Sequence, residues 1–70
     1  MEKVCTKITP KSLLEHGFKR FKATNGICYV KGNVAVAYYR VFWVACSILN
    51  DTIYLQRIYF NCLEEVEFFA

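Results

Sequence analysis

The dipeptide Asn25-Gly26 constrains this chain more than any other pair of residues in it. Both types tolerate the positive φ that a tight two-residue turn asks of its central positions, which makes the pair the strongest short hairpin signal a sequence carries. Residues 18–24 before it and 27–30 after it read as antiparallel strands. Lys31-Gly32-Asn33 turns the chain again, and 34–39 or 34–40 reads as a third strand. Residues 42–49 are a fourth strand or a continuation of the third. No Gly, Pro or Asn lies at 39–42 to mark the break, so a bulge or a tight turn near Tyr39-Arg40 has to serve.

Helices bracket this meander. Thr9-Pro10 starts one: Thr9 caps free N–H groups, and Pro10 at the first helical position loses no needed donor. Gly17 ends it, because glycine adopts the left-handed conformation after a helix without penalty. His16 sits in the last turn, where a cation meets the negative end of the dipole. With two turns at most, this helix depends on packing through Ile8, Leu13 and Leu14. Asn50-Asp51-Thr52 reads as a turn and a helix cap. After it, Leu55, Ile58, Tyr59, Cys62 and Leu63 recur at helical spacing, which predicts a helix over 53–63. Residues 64–70 are a last helical turn, a short edge strand or a docked tail. The expected fold is α+β: a short N-terminal helix, an antiparallel meander of three to four strands and a C-terminal helix, with the helices on one face.

Seventy residues, 56% of them hydrophobic and only 21% charged, fit one domain over 1–70 and exclude a disordered chain. The apolar stretch 34–49 is too short for a spanning helix and holds Arg40 near its centre, so no membrane partner is expected. Met-Glu-Lys-Val-Cys-Thr-Lys lacks the apolar region of a secretion signal, and the expected location is the cytoplasm. Cys5, Cys28, Cys46 and Cys62 contain no C-x-x-C pair, and one histidine excludes the two-cysteine, two-histidine zinc layout. They read as free, mostly buried thiols that pack as small hydrophobes.

Catalytic chemistry finds little support. His16 and Glu15 are neighbours in sequence, and adjacent residues on a helix do not face each other. Glu64, Glu65 and Glu67 read as a solvated acidic end. Gly17, Gly26 and Gly32 are dispersed in cap and turn roles, so no phosphate loop exists. No catalytic residue, metal site or cofactor is expected, and the chain reads as a non-enzyme.

Two binding readings remain. Residues 1–40 hold eight Lys/Arg against two carboxylates, whereas 41–70 hold one against four. This basic front and acidic tail suit self-association. Six Phe, five Tyr and one Trp exceed the needs of one small core. Tyr54, Phe60, Phe68 and Phe69 fall toward the outer side of the expected last helix and tail, as a candidate protein interface. The leading expectation is a protein binder, working as a homodimer or on an unidentified protein partner. The alternative is nucleic-acid binding through Lys11, Arg20, Lys22 and Lys31, basic residues interleaved with Phe21.

Two segments carry a resemblance. Ile8-Thr9-Pro10-Lys11-Ser12-Leu13-Leu14-Glu15-His16-Gly17-Phe18 resembles the opening of small accessory proteins of Bacteroidetes genomes and their phages, and Leu55-Gln56-Arg57-Ile58-Tyr59-Phe60 is similar to their closing motif. A His commonly sits two residues before that motif, where this chain has Ile53. The resemblance implies a phage or mobile-element accessory protein, with no catalytic residue to carry over.

Overall fold

The computed structural model describes residues 5–69, Phe69 by its backbone alone. The order is α1 (Pro10–Glu15), β1 (Lys19–Ala23), β2 (Gly26–Lys31), β3 (Val34–Tyr39), β4 (Phe42–Leu49), β5 (Thr52–Phe60) and α2 (Leu63–Phe69). The strands form one antiparallel sheet in the order β1-β2-β3-β4-β5. The α+β class with a helix at each end is as expected, but the meander has five strands instead of three to four.

The N-terminal cap forms as the sequence predicts. The Ser12 N–H donates to Thr9 Oγ1 at 3.0 Å, and the Thr9 N–H donates to Ser12 Oγ at 2.9 Å, so two orphan groups are satisfied reciprocally. Gly17 follows the helix at φ 91°. The first hairpin turns one residue earlier than predicted. Ala23 pairs with Gly26, so Thr24-Asn25 is the turn. This placement turns the Asn25 side chain toward β5, where it accepts from the Ile53 N–H and donates to the Ile53 carbonyl, both at 2.9 Å.

The fifth strand replaces the predicted helix over 53–63. Asn50 and Asp51 both take positive φ, 52° and 59°, as a type I′ turn needs, and Leu49 pairs with Thr52 across it. The run that follows is rich in β-branched and aromatic residues, which suit a strand with a partner alongside. Its helical spacing is coincidental: Leu55, Ile58 and Tyr59 are exposed, and burial falls on Ile53 and Phe60. The unmarked break between β3 and β4 is a two-residue turn with Arg40 at φ 59°.

The sheet buries both faces. On one, the cross-strand row Arg20, Tyr29, Val36, Ala45 lies beside the row Tyr38, Trp43, Phe60, and α1 and α2 pack over part of it through Leu13, Leu63 and Val66. Burying each such side chain contributes about 1.5–3 kcal/mol. The other face carries small residues, Ala23, Cys28, Ala37 and Cys46, with Ile53. Small side chains let the sheet curl until its two end hairpins meet. There the Thr24 N–H donates to the Asp51 carbonyl at 2.7 Å, beside the Asn25–Ile53 pair. A register shift between Val44 and Cys46 lets β4 serve β3 with its first half and β5 along its length.

The expectation of four free cysteines is corrected: Cys5 and Cys62 form a disulfide across 57 residues, while Cys28 and Cys46 stay free and buried. β5 carries the chain back beside the N-terminal segment, a pairing that cysteine spacing alone does not reveal. Next to the bridge, the Leu63 N–H donates to the Thr6 carbonyl at 2.9 Å, and the Thr6 N–H and hydroxyl both donate to the Glu64 carboxylate. Glu65 accepts from the Asn61 and Cys62 N–H groups, capping α2. At its other end, α2 places Glu67 3.4 Å from His16 and 4.0 Å from Lys31. The helix thus runs from the Asn61 end of the sheet toward the β2–β3 turn.

Candidate functional site

The strap of residues 5–9 crosses the helix-bearing face near the β3–β4 turn without filling it. Ile8 is buried at 4% exposure and anchors the strap. Between the strap and the turn lies an open cleft of about 610 Å³. Its floor is Tyr29, Trp43 and Phe60, its strap wall is Lys7 to Pro10, and its far lip is Tyr38, Val41 and Phe42, with Ile27 and Asn61 at the ends.

Aromatic ring contacts brace Trp43 in the floor and flank the turn beside it. Trp43 meets Tyr29 edge-on at 5.9 Å between centroids and Tyr38 at 5.1 Å, and Phe42 meets Tyr59 at 5.4 Å. Such offset pairs are worth about 0.5–1.5 kcal/mol beyond area burial. The lip is exposed nonetheless: Val41 at 72%, Tyr38 at 57% and Phe42 at 48%. A two-residue turn cannot fold these side chains inward, so they stand at the rim of a concave apolar surface.

The charges around the cleft are basic. Lys7 lines it, whereas Arg40, next to Val41 on the turn, lies over the Tyr39 ring at 5.5 Å and outside the lining. Arg20 and Lys22 extend from the edge strand on the same face, opposite Tyr29 and Ile27. The nearest carboxylates are committed to the fold. Hydrogen bonds from Thr6 hold Glu64 below its ordinary range, and Glu65 caps α2. No His, Cys, Asp or Glu lines the cleft, and no group of three metal-ligating side chains occurs among the described residues.

The sequence-predicted residues scatter. Tyr54 is exposed on β5, away from the cleft lining. Phe60 does not lie on an outer face: it is 4% exposed and forms part of the cleft floor, because the strand pairs it with Trp43. Phe68 is 87% exposed near the end of α2, and the Phe69 side chain lies outside the described residues. Of the basic set, Lys11, Arg20 and Lys22 are exposed. Lys31 serves the fold: its ammonium donates to the His16 carbonyl at 2.9 Å, closing the C-terminus of α1, and lies over the Phe18 ring at 5.7 Å. The lip residues Tyr38, Val41 and Phe42 escaped sequence reasoning. The signal that finds them is the turn at 40–41, which no Gly, Pro or Asn announces.

The free thiols do not reach the cleft. Burial pushes both Cys28 and Cys46 up, Cys46 to about 12, where the neighbouring Cys28 adds to the effect. Thiols held protonated are poor nucleophiles and poor metal ligands. No helix of the described chain is long and apolar enough to cross a membrane. No family model matches this sequence, and no curated protein or solved structure matches it either.

Proposed function

We propose that this chain is a small non-enzymatic accessory protein that works by binding another protein through the cleft at its β3–β4 turn. One observation carries the reading: Tyr38, Val41 and Phe42 stand exposed around a preformed apolar concavity with Lys7 in its strap wall. Apolar concavities of this size take an anchoring side chain from a partner, and exposed aromatics concentrate at such interfaces. Lys7 favours a partner whose anchor is flanked by a carboxylate. The resemblance of residues 8–18 and 55–60 to phage and mobile-element accessory proteins supports such an origin, with a host factor as the target. Self-association and cytoplasmic residence belong to the same reading. A count of free thiols in protein trapped with alkylating agent inside cells tests the residence, since a maintained Cys5–Cys62 bridge suits an oxidising compartment.

A second reading has a specific observation in its favour. Arg20 and Lys22 share the face of Tyr29 and Ile27, so phosphate contacts and ring contacts lie side by side, as in binders of single-stranded nucleic acid. Against it, Tyr29 and Trp43 are each 9% exposed and offer little ring face for stacking, and Lys31 is committed to the helix ends.

Selection of displayed random peptides against the oxidised protein separates the two. The protein reading expects enrichment of an aromatic or aliphatic anchor next to Asp or Glu, with binding weakened at least tenfold by Val41→Asp. Capture of oligonucleotides at ~50 mM salt, lost with Arg20→Ala and Lys22→Ala and indifferent to Val41→Asp, establishes the second reading instead.

A further inference from the structure

We infer that the second face of the sheet holds a binding site of its own, for a medium-chain aliphatic carboxylate. The chain of the acid lies in a groove across the strands, and its head meets Lys19 and Arg20. This site is separate from the docking cleft, whose floor of Tyr29, Trp43 and Phe60 belongs to the helix-bearing face.

The groove exists because the core of the second face closes at one end alone. Where the two end hairpins meet, Ala23 and Ile53 are buried. Toward the β2–β3 turn, Phe21, Val30, Ala35 and Ile48 pack against the same layer and stay partly exposed. Two open cavities, of about 520 and about 400 Å³, lie there and share Val30, Gly32 and Ile48. Gly32 puts no side chain between them, and a Cβ built there would meet nothing within 4 Å. The joined groove touches all five strands, from Lys19 on β1 to Ile58 on β5. Four interstrand spacings of about 4.8 Å make it up to ~19 Å long before the curl of the sheet shortens it. That length suits a chain better than a ring.

Charge is graded along the groove. Lys19, Arg20 and Lys31 line one end, Ser47 and Gln56 line the other, and no carboxylate lines either cavity. Lys31 is already engaged, by the His16 carbonyl at 2.9 Å and by Glu67 at 4.0 Å. Lys19 and Arg20 have no carboxylate partner among the described residues. At the far end Gln56 donates to the Ser47 hydroxyl, so those polar groups satisfy each other. Unmatched cations, an apolar middle and a neutral end are the complement of an anionic head with an aliphatic tail. Apolar lining supplies affinity in such sites, and a few placed polar groups fix orientation.

Titration of the oxidised protein with hexanoate, octanoate and decanoate, followed by two-dimensional amide and indole NMR, tests this. Decanoate is expected to shift the amides of Phe21, Val30, Gly32 and Ile48 and to leave the Trp43 indole unmoved. A fully buried methylene strengthens binding roughly fourfold, so affinity is expected to rise at least fourfold with every two methylenes added. Decyltrimethylammonium, with the same tail and the opposite head, is expected to bind at least tenfold more weakly. Lys19→Glu with Arg20→Glu is expected to weaken decanoate at least tenfold; both positions are exposed, and urea unfolding checks that the variant keeps its fold. Affinity that ignores chain length overturns the inference, as does equal binding of the cationic amphiphile or equal binding by the double variant. No shift at millimolar decanoate overturns it too. Shifts gathered at Trp43, Tyr38 and Val41 overturn it in favour of the docking cleft, whose own reading stands or falls with the peptide selection.

Discussion

Reduction of the Cys5–Cys62 bridge is expected to remove a large part of the stability of this domain. The bridge joins residues 57 apart. In the chain-entropy account, closing a loop of that length restricts the unfolded chain by about 14 cal/mol/K, or about 4 kcal/mol at 25 °C. A chain of this length has a total stability of roughly 4–10 kcal/mol. Losing the bridge therefore takes between two-fifths and all of it. Urea unfolding followed by the fluorescence of Trp43, the sole tryptophan, reads this directly. With a slope of ~1 kcal/mol/M for a domain this small, the midpoint should fall by as much as ~4 M on reduction, or on Cys5→Ser with Cys62→Ser. Native hydrogen bonds from Thr6 to Glu64 hold the strap in place without the bridge, so the folded state should keep its shape while the unfolded state gains freedom. A midpoint that moves by less than ~0.5 M refutes the reasoning. So does the release of four thiols instead of two from protein denatured without reductant.

Asn25→Ala removes both hydrogen bonds to Ile53 and should cost about 1–3 kcal/mol in the same unfolding assay, with Asn25→Asp recovering only the accepting half. Cys28 and Cys46 should resist iodoacetamide at pH 8 in the folded protein and react once it is denatured. Because folding raises both thiols above their unfolded value, their contribution is complete below about 9.0 and is lost as pH climbs toward about 12. Alkaline unfolding over that window should flatten in Cys28→Ala with Cys46→Ala. Folding lowers Glu64, so its contribution is present above the ordinary carboxylate value of about 4.3 and disappears as pH falls below it; Glu64→Gln should make an acid unfolding curve shallower there.

What the sequence discloses and what it conceals divide along physical lines. Thr9, Pro10 and Gly17 act within one helix, and their roles are local, so the start and the stop of α1 were legible, although Leu14, expected to pack, is exposed and His16 caps the helix instead of lying within it. Hairpin signals at 25–26 and 32–33 were equally local, and the first slipped by one residue because Asn25 answers to Ile53, 28 positions away. The stretch 53–63 misled because Leu55, Ile58, Tyr59, Cys62 and Leu63 match helical spacing, while the choice of strand is made by the neighbouring β4. Arg40 takes a left-handed conformation that favours glycine, so its turn carried no mark and the lip of the cleft went unseen. The Cys5–Cys62 pairing is a consequence of topology, which spacing does not encode. The surplus of aromatics was legible as a count, but its placement was not: Phe60 went inside, and Tyr38 and Phe42 came out.

The most direct test of the docking cleft is a two-dimensional amide and indole NMR titration of the oxidised protein with an enriched acidic peptide. Docking in the cleft should shift the Trp43 indole and the amides of Ile8, Tyr38, Val41 and Phe42 together, with those of Lys19 to Lys22 moving little. Shifts concentrated along β1, with the Trp43 indole unmoved, contradict it.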